Sequence, residues 1–148
     1  MRHYNVSDNQ GFTILEALIV AVFAGILVAM AGPSYFAWSQ RRAVDSAITS
    51  IQGAIKEAQR QAMARSQPCT LTFNSTTITS SPANCLITGD RILNNVTVTA
   101  SATSFDFDNL GNTTSEITVV VAPAANPSSN NKCLVLSKPL GLIRIHWC

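Results

Sequence analysis

Charge is scarce in this chain. Asp, Glu, Lys and Arg make up 12% of its 148 residues, whereas hydrophobic residues make up 47%. Histidine is scarcer still: His3 and His146 stand at opposite ends, and neither has ligand spacing to a cysteine or carboxylate. The four cysteines, Cys69, Cys85, Cys133 and Cys148, contain no C-x-x-C pair or other metal-site spacing. No catalytic constellation and no internal repeat is found. The composition therefore points away from an enzyme and calls for no metal or cofactor. Nor is there a surplus of positive charge in the second half. From Pro68 onward, Arg91, Lys132, Lys138 and Arg144 balance Asp90, Asp106, Asp108 and Glu116. A neutral domain is a poor general electrostatic trap for nucleic acid.

What the sequence does hold is one long apolar run. Between Phe12 and Gln40 the sole formal charge is Glu16, and besides it Thr13 is the sole polar residue before Ser34. About 20 apolar residues, at about 1.5 Å each, match a hydrocarbon core of about 30 Å. The run is longer than the core of a cleaved secretory signal and ends in no small-x-small site, which favours a membrane anchor over about 12–32. Glu16 is costly there. A carboxylate at a bilayer centre costs about 2.5–3.5 kcal/mol, less near an end, and such groups usually have a partner and a function.

The stretch Gly11-Phe12-Thr13-Ile14-Leu15-Glu16 resembles the class III signal of type IV pilins and type II secretion pseudopilins. The resemblance implies that a prepilin peptidase cuts between Gly11 and Phe12 and methylates the new amino terminus. Residues 1–11 would then be a leader. Glu16 would pair with the amino-terminal charge of a neighbouring subunit in a filament, a buried carboxylate selecting the site that supplies a cation. Gly25 and Pro33 stand where pilins place their helix-weakening residues. Proline removes a backbone donor and clashes with the preceding turn, and Gly32 loosens the chain further. The leader departs from the pattern in carrying Asn9-Gln10, not a basic residue, before Gly11.

All four cysteines follow the apolar run, in a Thr-, Asn- and Ser-rich region. That pattern reads as two disulfides in an oxidising compartment, so the carboxyl-terminal part is expected outside the cytoplasm. Three pairings are open to the sequence; locality favours Cys69–Cys85 and Cys133–Cys148. Arg41 and Arg42 oppose this orientation, because the positive-inside rule expects such residues on the cytoplasmic flank, where the leader offers Arg2 partly offset by Asp8. The cysteines and the cleavage motif outweigh them here.

Residues 12–65 read as one long helix, about 80 Å if unbroken. In its second half Val44, Ile48, Ile51, Ile55, Ala58 and Ala62 recur at steps of three and four, an amphipathic stripe expected to dock on the protein's own sheet. Gln52, Lys56, Glu57, Gln59, Arg60 and Gln61 are placed mainly on other faces. Ser66-Gln67-Pro68 ends the helix. Residues 66–148 then form a β-rich domain, with strands expected over 69–73, 78–80, 91–93, 96–100, 104–107, 116–121, 132–137 and 142–147. In the last strand, alternation places Ile143, Ile145 and Trp147 on a core face and Leu142, Arg144 and His146 on the other. Asp106 and Asp108 lack the downstream acidic ligand of a full calcium loop and read as a solvated strand end.

The Ala- and Arg-rich helix end, the strand starting near Cys69 and the terminal hairpin turning at Gly141 are similar to the FimT/GspH group of minor pilins and pseudopilins. In some FimT proteins a terminal G-R-x-R binds DNA, since arginines two apart on a strand project together toward adjacent phosphates. Here the match reads Gly141-Leu142-Ile143-Arg144. Arg144 keeps the second arginine, Leu142 replaces the first, and Lys138, Lys132 or His146 are candidates to compensate.

The expectation is thus an α+β, pilin-like fold, with a long helix, transmembrane in its first half and amphipathic in its second, packed on an antiparallel sheet. The resemblance implies a bacterial inner-membrane, single-pass subunit built into a pilus filament. Its partners would be the prepilin peptidase, major and minor pilins, the assembly platform and membrane lipid, with DNA a weaker addition. The alternative is a GspH-like pseudopilin of a type II secretion system.

Overall fold

The computed structural model describes residues 13–148. Gly11 and Phe12, the expected cleavage and methylation positions, lie outside the described residues. One helix, α1 (Ile14–Arg65), is followed by eight strands among the described residues: β1 (Cys69–Phe73), β2 (Thr77–Ser81), β3 (Arg91–Ile92), β4 (Val96–Ala100), β5 (Ser104–Phe107), β6 (Ile117–Pro123), β7 (Lys132–Ser137) and β8 (Leu142–Trp147). All eight expected strands are present, within about two residues at each end. A short 3-10 helix, Ala83–Cys85, was not foreseen. The chain divides into two compact units at Ala37/Trp38.

In the first unit, Ile14, Leu15, Leu18, Val20, Phe23, Leu27 and Val28 are all exposed, and at about 100° per residue they fall on every side of the helix. A helix that is apolar all round belongs in lipid or under other protein. Pro33 lies inside α1. No single helix among the described residues is long and apolar enough to cross a membrane. The segments Ile14–Met30 and Gly32–Arg65, either side of residue 31, meet that test together.

The second unit, Trp38–Cys148, holds the core. Its strands form two antiparallel four-stranded sheets, ordered β3-β2-β1-β5 and β4-β6-β7-β8. Strand alternation sends Leu71, Phe73, Phe105 and Phe107 inward from the first sheet, and Val119, Val121, Leu134 and Leu136 from the second. They meet the helix stripe Val44, Ile48, Ile51, Ile55, Ala58 and Ala62, all buried, which Ala47 and Ala54 widen. The alanines let the sheets approach the helix closely. Phe105 stacks on Phe73 (5.5 Å between centroids) and meets Phe107 edge-on (5.3 Å). This is the α+β arrangement expected, a long helix packed on antiparallel β structure.

Two disulfides are formed. Cys69–Cys85 ties the start of β1 to the 3-10 helix, with Cα atoms 5.8 Å apart, and Cys133–Cys148 ties β7 to the residue after β8, at 5.5 Å.

Two expectations fail. Ile145 and Trp147 are not core: they are 41% and 59% exposed, and Ile143 is half-buried. β8 is the edge strand of its sheet, paired with β7 alone. Opposite Trp147 stands Lys132, ion-paired to Asp45 of α1, so no apolar layer closes over that end. Glu57, assigned to a polar face, is 8% exposed.

Candidate functional site

The amino-terminal region begins with a capped helix. Thr13 Oγ1 accepts the Glu16 backbone N–H at 3.3 Å, and its carbonyl accepts the Ala17 N–H at 3.1 Å. Threonine thus satisfies a donor that the first turn leaves orphaned. Glu16 falls in that first turn, where the helix dipole favours a carboxylate. Its side chain is exposed and forms no ion pair among the described residues. Gly25 has open space where a Cβ would stand. Glu16, Gly25 and Pro33 therefore lie along one helix, Glu16 as its sole described charge before Arg41 and Gly25 and Pro33 among its weak helix formers.

The second region is the β7–β8 hairpin. Its turn is held by two backbone carbonyls. Pro139 O accepts the Thr113 N–H at 2.8 Å. Leu140 O accepts from Gln59 Nε2 at 3.1 Å, and the same amide donates to Gly111 O at 2.9 Å. Gly141 adopts φ +66, and a Cβ there would stand 2.9 Å from the Phe107 ring. Gln59 thereby fastens two separate turns to α1. Sequence reasoning placed it on a polar face and missed this role; a glutamine one residue beyond a buried alanine carries no signal for it.

Lys138 is exposed in this turn. Arg144 lies opposite Val135, and His146 opposite Cys133, so Arg144, His146 and Leu142 share one side of β8. Lys132 lies opposite Trp147 on the other side. Its ammonium stands 4.5 Å from the Trp147 ring centroid and pairs with Asp45. The structure thus separates Lys132 from Arg144. Asp108 turns its carboxylate onto the backbone, accepting the N–H groups of Leu110 (2.9 Å) and Asn112 (2.8 Å). No cluster of metal-ligating side chains occurs among the described residues.

Inside the domain, α1 grips the segment before β3 through Glu57. Its carboxylate accepts from Thr88 N (3.2 Å), Thr88 Oγ1 (2.9 Å) and Arg91 Nη2 (2.9 Å). Burial alone pushes the Glu57 carboxyl up, but the Thr88 hydroxyl and backbone, the Arg91 charge and the Ile87 backbone together hold it below the usual carboxylate range.

A long helix whose second half docks on antiparallel sheet is the fold of type IV pilins. Two solved chains carry it at this chain's level of detail: crystal structures, in two crystal forms, of the type IV minor pilin FimU from Pseudomonas aeruginosa. One superposes with a TM-score of 0.59 over 74% of this chain and 92% of that one, the other with 0.55 over 69% and 91%, each at 13% identity. At that identity the likeness is one of fold. No protein-family model and no curated protein matches the sequence.

Proposed function

We propose that this chain is a minor subunit of a type IV pilus. The observation that carries the reading is the lone carboxylate Glu16, five residues into an otherwise apolar helix counted from Phe12, leading into a disulfide-bridged domain of pilin fold. In this reading residues 1–11 are removed by a prepilin peptidase and Phe12 becomes a methylated amino terminus. Residues 12–65 form the helix, its first half the inner-membrane anchor, and residues 66–148 form the extracytoplasmic domain. Glu16 then pairs with the amino-terminal charge of an adjacent major or minor pilin, and Gly25 and Pro33 give the helix latitude on entering the filament. The chain acts as structure and as substrate of the peptidase. Its minor, FimT-like status rests on the resemblance of the terminal hairpin and helix end; a GspH-like pseudopilin of type II secretion is the alternative of the same build.

Gly11→Ala tests the processing step. The variant should keep its leader, seen as unchanged intact mass, and fail to support filaments. Normal size change and normal filaments in Gly11→Ala would defeat the proposal.

One observation favours a second, narrower reading, in which the hairpin contacts DNA: Arg144 and His146 share one exposed side of β8 and Lys138 is exposed at its turn. Leu142 and the engaged Lys132 limit the number of phosphate contacts. Duplex DNA binding that weakens with salt and drops in Arg144→Ala supports it; no binding at low salt removes it.

A further inference from the structure

Arg41 and Arg42 have no part in that account. They stand just beyond the apolar run, on the side where the positive-inside rule does not expect them. Both are exposed, and the structure surrounds them with a particular chemistry. The Arg42 guanidinium lies 4.9 Å from the centroid of the Trp38 ring. Arg41 Nε donates to Asn130 Oδ1 at 3.1 Å, which brings in the loop between β6 and β7. Asn130 and Trp147 line one open hollow of about 340 Å³. Beside it, Lys132 stands over the Trp147 ring and pairs with Asp45, one turn along α1 from Arg41. Thus one end of the domain, the end where the chain enters it, gathers three cations and two tryptophans that are 52% and 59% exposed. The acid beside them on α1, Asp45, is engaged by Lys132.

We propose that this end of the domain is a docking surface for an anionic phospholipid bilayer. The proposal rests on the membrane-anchor reading above. Three features select this occupant. Amphipathic tryptophan rings settle at the headgroup level, where one edge is apolar and the other wet. Arginine matches phosphate geometry with its planar fork, and each basic residue near an anionic surface contributes independently of sequence. Finally, the surface begins at Trp38, six residues past the apolar run that the anchor reading places in the bilayer, about 9 Å of helix, so the chain itself delivers it toward the headgroups. Before incorporation into a filament, the domain would rest on the membrane through Trp38, Arg41, Arg42 and Trp147. Extraction would then have to break these contacts.

The test uses the full chain in lipid nanodiscs. Trp38→Phe leaves Trp147 as the one tryptophan, because the sequence has two. Its fluorescence is read with a quencher attached to lipid headgroups, in discs of zwitterionic lipid alone or mixed equally with anionic lipid. The expected result is strong quenching of Trp147 in anionic discs, weaker quenching in zwitterionic discs, and relief at high salt. Adding Arg41→Gln and Arg42→Gln should lower the ratio of docked to undocked domain about twenty-five-fold, from roughly a fivefold loss per arginine. The salt arm needs no further substitution, so it stands even if the arginine variant folds poorly. Trp147 emission insensitive to the headgroup quencher, or equal in both lipids and at all salts, overturns the inference while leaving the anchor reading intact. Shielding of Trp147 from a water-soluble quencher without headgroup quenching also overturns it and indicates a second copy of the chain. A chain that does not incorporate into discs at all overturns the anchor reading and this inference together.

Discussion

Removing the Glu57 carboxylate should loosen the domain by an amount its hydrogen bonds set. Glu57 accepts three of them, from the Thr88 amide, the Thr88 hydroxyl and the Arg91 guanidinium, and the residue is 8% exposed. Bonds to a charged group contribute about 1.5–3 kcal/mol each, and losing one partner of a buried pair costs about 3–5 kcal/mol. The Arg91 side chain is 28% exposed and recovers hydration once released, which argues for the lower end. Glu57→Ala should therefore cost about 3 kcal/mol, and Glu57→Gln about half that, since the amide oxygen still accepts from Thr88. In detergent, with disulfides intact, the urea midpoint should fall by about 2 M for a domain of this size, taking a slope near 1.5 kcal/mol/M. The pH dependence has a definite sign. The folded Glu57 carboxyl titrates below its unfolded counterpart, so its stabilisation is complete above the unfolded value and is lost as pH falls through the folded one. The gap between wild type and Glu57→Gln should be constant near neutrality and close in acid. In a double-mutant cycle, Arg91→Ala should couple to Glu57→Ala by about 1 kcal/mol or more. An unchanged midpoint in Glu57→Ala, or a gap that widens in acid, would refute the reasoning.

Replacing Cys69 and Cys85 together by alanine, or Cys133 and Cys148, opens loops of 16 and 15 residues. Each pair should cost about 3 kcal/mol, read by thermal unfolding of the oxidised protein. Gln59→Ala leaves Gly111 O and Leu140 O without their amide donor and should cost about 1–2 kcal/mol, with faster amide hydrogen exchange in the β7–β8 turn. Gly141→Ala forces a side chain into a left-handed position against Phe107 and should cost at least about 1 kcal/mol, whereas Gly53→Ala, in open space on the helix, should stabilise by about 1 kcal/mol. Equal effects of the two glycine substitutions would show that the close approach at Phe107 is unimportant.

Local pattern was sufficient to read the elements. Helix and strand were legible because their apolar residues recur with periods set by backbone geometry alone. The stripe from Val44 to Ala62 and the eight strands needed no knowledge of what lay across the core. Glu16 was legible for a similar reason: a lone charge in an apolar run is costly wherever the run goes. Tertiary structure decided everything that depends on neighbours distant in sequence. Ile145 and Trp147 alternate correctly for a core face, yet β8 lies at the sheet edge, and alternation carries no information about position within a sheet. Lys132 and Arg144 are opposed by strand register, not by spacing. Glu57 and Gln59 resemble their solvent-facing neighbours until the chain returns 31 and 81 residues later to supply Thr88 and Leu140 as partners. The polar residues of a helix state that they can hydrogen-bond; only the folded chain determines which of them are left inside with something to bond.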